Sequence, residues 1–198
     1  IRENYPPAAF YGAMNFLGTH DTARILTLLG AAQTPEDKPA RAAYRLSPDE
    51  LTRGRRKLRL AGMLLYTFPG SPTLYYGDEA GMQGFEDPLN RGTYPWGQED
   101  EALLAFFRQL GQLRSQRPSL RRGDIRYLYA QGGGLVIERR CGDERTVTAM
   151  NAGTQVLTLA LEWDGPLCRD GVTGQLFLVQ KGQVQLTLPP LDGVILLS

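Results

Sequence analysis

The spacing of apolar residues changes character once along this chain, and that change limits the folds open to it. Before about residue 119, short apolar runs alternate with stretches in which apolar residues recur at helical spacing. A strand, helix, strand, helix order implies parallel strands joined by crossover helices, because a tight turn cannot join two parallel strands. Beyond residue 119 the apolar residues come in short runs at 127–130, 135–139, 146–150, 156–161, 176–179, 184–188 and 194–197, separated by Gly, Asp or Pro. Regularly spaced short strands imply an antiparallel sandwich. The expected fold is therefore α/β plus all-β, with residues 1–118 in the first part and 119–198 in the second.

Within the first part, Ala13-Met14-Asn15-Phe16-Leu17-Gly18 is an apolar run ending at glycine, the pattern of a strand buried on both faces. A helix is expected from about Thr22, with Ile25, Leu26, Leu28 and Leu29 apolar and Gly30 as its stop. Residues 31–46, rich in Ala, Pro and charge, read as a loop. Ser47-Pro48-Asp49-Glu50 supplies an N-cap, a proline at the first helical position and a glutamate able to bond back to the cap, so a long helix begins there. Leu51, Leu58, Ala61, Leu64, Leu65 and Phe68 form its apolar side. Arg53, Arg55, Arg56, Lys57 and Arg59 have no aromatics among them and read as a solvated face rather than a phosphate-binding patch. Thr73-Leu74-Tyr75-Tyr76 gives a second buried strand. Asp100 and Glu101 open a last helix whose apolar face is Leu103, Phe106, Phe107, Leu110 and Leu113, closed by Arg114, Arg117 and Pro118.

With 22 basic and 21 acidic side chains the formal charge is +1, so no overall field draws the chain to nucleic acid or to an anionic membrane. No apolar run reaches the ~18 residues that span a bilayer. The opening Ile1-Arg2-Glu3-Asn4-Tyr5 does not read as a natural N-terminus, and no basic stretch followed by an apolar one starts the chain; a cytoplasmic location is expected. Cys141 and Cys168 have no CxxC or neighbouring histidine, which excludes a zinc or redox motif. Two buried free thiols are the expectation, a disulfide the alternative. Neither metal nor cofactor is expected.

Both expected parallel strands run into polar loops, where α/β folds place their active sites. The first delivers Gly18-Thr19-His20-Asp21-Thr22-Ala23-Arg24, with the only histidine of the chain. The second delivers Gly77-Asp78-Glu79 and then Asp87-Pro88-Leu89-Asn90-Arg91. The Arg24 charge favours an ionised Asp21, and an imidazole can donate to a substrate hydroxyl. An aspartate between strand and helix is equally a good N-cap, and His20 alone equally a structural histidine.

Phe16-Leu17-Gly18-Thr19-His20-Asp21-Thr22-Ala23-Arg24 resembles the seventh-strand motif of α-amylase-family glycoside hydrolases, in the form found in neopullulanases, cyclomaltodextrinases and maltogenic amylases. Pro69-Gly70-Ser71-Pro72-Thr73-Leu74-Tyr75-Tyr76-Gly77-Asp78-Glu79-Ala80-Gly81-Met82 is similar to the eighth-strand motif, and Asp87-Pro88 with Arg91 completes the pattern. The resemblance implies the last two strand–helix units of a (β/α)8 barrel, followed by an antiparallel β-sandwich domain. It implies a retaining mechanism on α-glucans, in which one carboxylate attacks the anomeric carbon and another, about 5 Å away, protonates the departing oxygen. Asp21 then matches a third carboxylate that holds hydroxyls of the distorted sugar, and His20 its hydrogen-bonding neighbour. Asp87 and Arg91 match residues that grip glucose units, with a loop-stabilising ion pair as the alternative for them; Asp78 and Glu79 anchor a loop, and Arg24 holds the loop near Asp21. Trp96, and with it Tyr75 or Tyr76, is a candidate for stacking on a sugar. In the family the nucleophile and the acid stand on the fourth and fifth strands, which precede everything seen here. The expectation is thus a C-terminal portion, inactive alone, that pairs with the missing N-terminal part of the enzyme or with a second copy. The alternative is a non-catalytic carbohydrate-binding or scaffold module.

Overall fold

The computed structural model describes residues 3–198. In chain order it contains α1 (Pro7–Gly12), β1 (Met14–Phe16), α2 (Ile25–Gly30), α3 (Lys38–Ala43), α4 (Pro48–Thr67), β2 (Ser71–Thr73), α5 (Glu101–Gln116) and α6 (Pro118–Arg122), then β3 (Asp124–Gln131), β4 (Gly134–Cys141), β5 (Glu144–Asn151), β6 (Leu157–Glu162), β7 (Leu167–Asp170), β8 (Leu176–Gln180), β9 (Gln183–Leu188) and β10 (Asp192–Leu197). These fall into two compact units, one of residues 14–65 and 72–108, the other of residues 3–13, 66–71 and 109–198.

The strand–helix unit is organised by α4. The expected capping box forms: Ser47 N donates to Glu50 Oε2 at 2.8 Å, and Glu50 N to Ser47 Oγ at 3.4 Å. Glu50 Oε1 also accepts from the Tyr44 hydroxyl at 2.5 Å and from Ala32 N at 2.7 Å, so one carboxylate fastens the preceding segment to the helix start. Gly54 lets α2 and α4 touch, since a Cβ there would stand 3.0 Å from the Cα of Gly30. Leu26 and Leu58 are fully buried beside this contact. Asp100 caps α5 by accepting from Leu103 N at 3.1 Å and pairs with Arg55 at 2.5 Å. The Arg59 guanidinium lies 4.0 Å from the centre of the Phe106 ring. The basic side of α4 is thus partly engaged by α5 rather than simply solvated.

Four expectations for this unit change. Residues 31–46 contain α3, whose N-cap Asp37 accepts from Ala40 N at 2.7 Å ahead of Pro39. Helix α2 begins at Ile25, not Thr22. Strand β2 ends at Thr73, leaving Tyr75 and Tyr76 outside it. Strand β1, expected to be buried on both faces, leaves Met14 64% and Phe16 52% exposed. An apolar run reports that cover is wanted, and a two-stranded sheet of β1 and β2 supplies little of it among the described residues.

The second unit carries one sheet of eight strands in the order β3-β4-β5-β10-β7-β8-β9-β6, every pairing antiparallel. It curls until Val136, Val147 and Ala149 of β4 and β5 share a core with Leu159 and Leu161 of β6 and Val184, Leu186 and Leu188 of β9, around Trp163 and Cys168. Alternation is clean in β9, where those three apolar residues are buried and Gln183, Gln185 and Thr187 are exposed. In β4 and β5 it fails, because α6 covers their other face. Ser119 Oγ lies 2.8 Å from Thr146 Oγ1, and Arg139 donates to Thr67 O at 2.7 Å and twice to Gly123 O. Burial lowers the Arg139 guanidinium to about 10. Strand β7 escapes the sequence pattern because Arg169 and Asp170 fill half of it. Asp170 is buried and accepts from Val172 N, Thr173 N, the Thr173 hydroxyl and Ile195 N. Both cysteines are free; Cys168 is buried and Cys141 half-buried. Among the described residues no helix is long and apolar enough to cross a membrane.

Candidate functional site

Two threonines shape the loop after β1. Thr19 N donates to Thr22 Oγ1 at 3.1 Å and Asp21 N to Thr19 Oγ1 at 3.2 Å, folding residues 19–22 into a turn. The turn leaves the His20 and Asp21 side chains 62% and 74% exposed, with Nε2 and Oδ1 3.3 Å apart. The N-cap of α2 is Arg24, so Asp21 does not cap that helix, and its carboxylate stays available for another partner.

The loop bearing Asp87 and Arg91 turns about a cis Asp87-Pro88 bond. Arg91 Nε reaches Asp87 Oδ1 at 2.8 Å, with the side chains 46% and 60% exposed respectively. Between them Asn90 is fully buried, and its Nδ2 donates to His20 O at 2.8 Å and to Thr22 O at 2.7 Å. The two loops that the sequence motifs single out are therefore neighbours in space. Asn90 itself carried no signal in the sequence, since burial of a lone amide inside a polar loop has no periodicity to betray it.

Beneath them lies Arg24, almost fully buried. Its backbone N donates to Gly84 O at 2.8 Å, and its guanidinium donates to Tyr76 O and to Asp78 Oδ1, the latter at 3.3 Å. The guanidinium also lies 4.2 Å from the centre of the Tyr75 ring and 4.5 Å from that of Tyr76. Burial pushes the Asp78 carboxyl up to about 6, against the opposing pull of Arg24. Gly18 passes directly over this carboxyl, for a Cβ there would sit 2.9 Å from Asp78 Oδ2. The Tyr76 hydroxyl donates to Gly92 O at 2.8 Å, tying a third loop in. Tyr75 is half-buried and Tyr76 partly exposed. Trp96 is 80% exposed, its ring 4.5 Å from that of Tyr94 and tilted by 49°.

The arrangement offers carboxylate acceptors, a guanidinium fork and an imidazole, all water-accessible, on a rigid base: the groups that bind neutral polyols. No set of three His, Cys, Asp or Glu residues that could hold a metal occurs among the described residues.

Residues 7–120 match the family model described as "Alpha amylase, catalytic domain". The chain is 36% identical over its whole length to an amylopullulanase of Thermoanaerobacter thermohydrosulfuricus, spanning 14% of that protein. It is 32% identical to neopullulanase 2 of Thermoactinomyces vulgaris, over 97% of the chain and 30% of the relative. Among solved structures it resembles the debranching enzyme of Nostoc punctiforme, with a TM-score of 0.74 and 30% identity over 99% of this chain and 37% of that one. An Anoxybacillus α-amylase gives a TM-score of 0.75 at 27% identity, over 95% of this chain and 38% of that one. The chain thus spans a third or less of these curated relatives, while the motifs around His20, Asp21, Asp87 and Arg91 fall inside the matched region. On that match and on this identity across nearly all its residues, the chain belongs to the α-amylase family.

Proposed function

We propose that this chain is the closing part of the (β/α)8 catalytic barrel, residues 1–118, together with the C-terminal β-sandwich, residues 119–198, of a retaining glycoside hydrolase acting on α-glucans. Maltooligosaccharides, cyclodextrins, pullulan and starch are its substrate class. The observation that carries the proposal is the proximity of the His20–Asp21 turn to the Asp87–Arg91 loop, joined through Asn90. Asp21 accepts hydrogen bonds from the hydroxyls of the sugar at the bond to be cleaved, and His20 donates to that same sugar. Asp87 and Arg91 together present an acceptor and a fork of donors to adjacent hydroxyls on a neighbouring glucose. Trp96, leaning on Tyr94, offers an apolar ring to a sugar face.

These groups stand in water, where a carboxylate contributes little to stabilising positive charge on a sugar ring. A nucleophile and an acid on further strands complete the chemistry and exclude that water, and those strands also cover Met14 and Phe16. The chain alone is accordingly expected to bind glucans weakly and cleave none. Titration calorimetry with acarbose tests this: binding in the millimolar range, roughly −4 kcal/mol, disappears in Asp21→Asn. Affinity untouched by Asp21→Asn would overturn the site, and release of reducing sugar from maltooligosaccharides by the chain alone would overturn the division of labour.

A further inference from the structure

We infer that Asn90 is a positioning residue, fixing the distance between Asp21 and the Asp87–Arg91 pair and so the register in which successive glucose units are held. The inference rests on the glucan reading above and deepens it. The two carbonyls that Asn90 Nδ2 engages, His20 O at 2.8 Å and Thr22 O at 2.7 Å, belong to the residues immediately before and after Asp21. Asn90 is itself bracketed by the ends of the Asp87–Arg91 ion pair. One buried side chain therefore clamps the peptide on both sides of the carboxylate to the loop carrying the sugar grip, across about seventy residues of sequence.

The clamp needs a short side chain with two N–H groups on one atom. Aspartate at this position would set an oxygen against two carbonyl oxygens, serine would leave at least one carbonyl without a donor, and glutamine would overshoot by a methylene. A ligand long enough to touch both loops benefits from their being held ready, because no ordering is then left to be done on binding. A ligand reaching one loop gains no such advantage. The signature of positioning is consequently the increase in affinity with oligosaccharide length, which a merely structural loop contact would not set.

The experiment uses the 198-residue chain and its Asn90→Ser and Asn90→Asp variants. Calorimetry with maltose and with maltopentaose gives the gain in affinity on lengthening the ligand, and this gain falls about tenfold in both variants, the equivalent of ~1.4 kcal/mol. His20, the only histidine in the sequence, gives an unambiguous readout of the turn through its imidazole carbon and proton resonances, which move in both variants before any sugar is added. In the wild type, Asn90 side-chain protons exchange slowly with solvent and show couplings through the hydrogen bonds to the His20 and Thr22 carbonyls, a measurement independent of how any variant folds. An unchanged length dependence overturns the positioning role. Unmoved His20 resonances, or absent couplings in the wild type, overturn the clamp. A wild type that binds neither sugar counts against the glucan reading instead, and the couplings then decide the clamp alone.

Discussion

The sandwich and the strand–helix unit spend their apolar residues differently. In the sandwich all eight strands join one sheet, and Val136, Val147, Val184 and Leu196 are fully buried in its core. In the strand–helix unit the helices pack well, with Leu26 and Leu58 fully buried, yet the two strands have three residues each and Met14 and Phe16 face water. The candidate site residues sit in the strand–helix unit, on turns held by hydrogen bonds and by buried Arg24 and Asn90 rather than by a closed sheet. Side chains proposed to meet a ligand have to stay exposed, and here the loops bearing His20, Asp21, Asp87 and Arg91 are fixed from below by polar contacts instead of apolar burial.

The largest effect that can break this comparison is on core packing. Leu196→Ala removes a fully buried side chain and is expected to lower the stability of the sandwich by about 3 kcal/mol, read as a shift in the urea midpoint of the β-sheet circular dichroism signal. Phe16→Ser, at a half-exposed position, is expected to change the stability of its unit by no more than ~0.5 kcal/mol. Equal costs for the two substitutions would show that β1 is as firmly packed as the sandwich.

The same contrast explains what could be read from the residues. The sandwich was legible because its strands are short apolar runs set between turn residues, and seven of them stand where such runs are expected. Strand β7 was not, because Asp170 and Arg169 interrupt the run and Asp170 is buried for its hydrogen bonds. The N-terminus of α4 was legible from Ser47 to Glu50, a local signal with a local cause. Helix α3 was hidden in a polar stretch where only the Asp37 cap announces it. For the site, His20, Asp21, Asp87 and Arg91 were marked by their motifs, and the structure brings their two loops together. The parts that make them one assembly, Asn90 and the Arg24–Asp78 pair, depend on contacts more than fifty residues apart, which no spacing rule reaches.

Asp78 sharpens the comparison through pH. Its folded value of about 6 lies above the ~3.9 of an unfolded aspartate, so between those values the folded chain holds the proton more tightly. Stability of the strand–helix unit therefore falls as pH rises from about 4 through 6, by roughly 3 kcal/mol for a shift of about two units. Asp78→Asn is expected to flatten that slope, measured as the dependence of the urea midpoint of helix unfolding on pH. A slope that survives the substitution would place the proton elsewhere.

Glu50 gives the smallest effect and the opposite sign. The Tyr44 hydroxyl first, then the backbone N–H groups of Ala32 and Ser47, hold its carboxyl down at about 2. An unfolded glutamate titrates near ~4.3, so the stability that Glu50 adds is fully present above that value and is lost as pH falls toward 2. Its surroundings are open to water, which keeps the contribution small. Glu50→Gln preserves the size of the side chain while removing the charge, so the variant is less stable than the wild type at neutral pH and the two curves converge as pH approaches 2. Two carboxyls of one unit thus respond to acid in opposite directions, the buried one gaining stability and the capping one losing it. Curves for Glu50→Gln and wild type that stay parallel from pH 7 to 2 would mean that Ser47 Oγ alone secures the start of α4, and that the bonds to Ala32 and Tyr44 add nothing the neutral amide cannot replace.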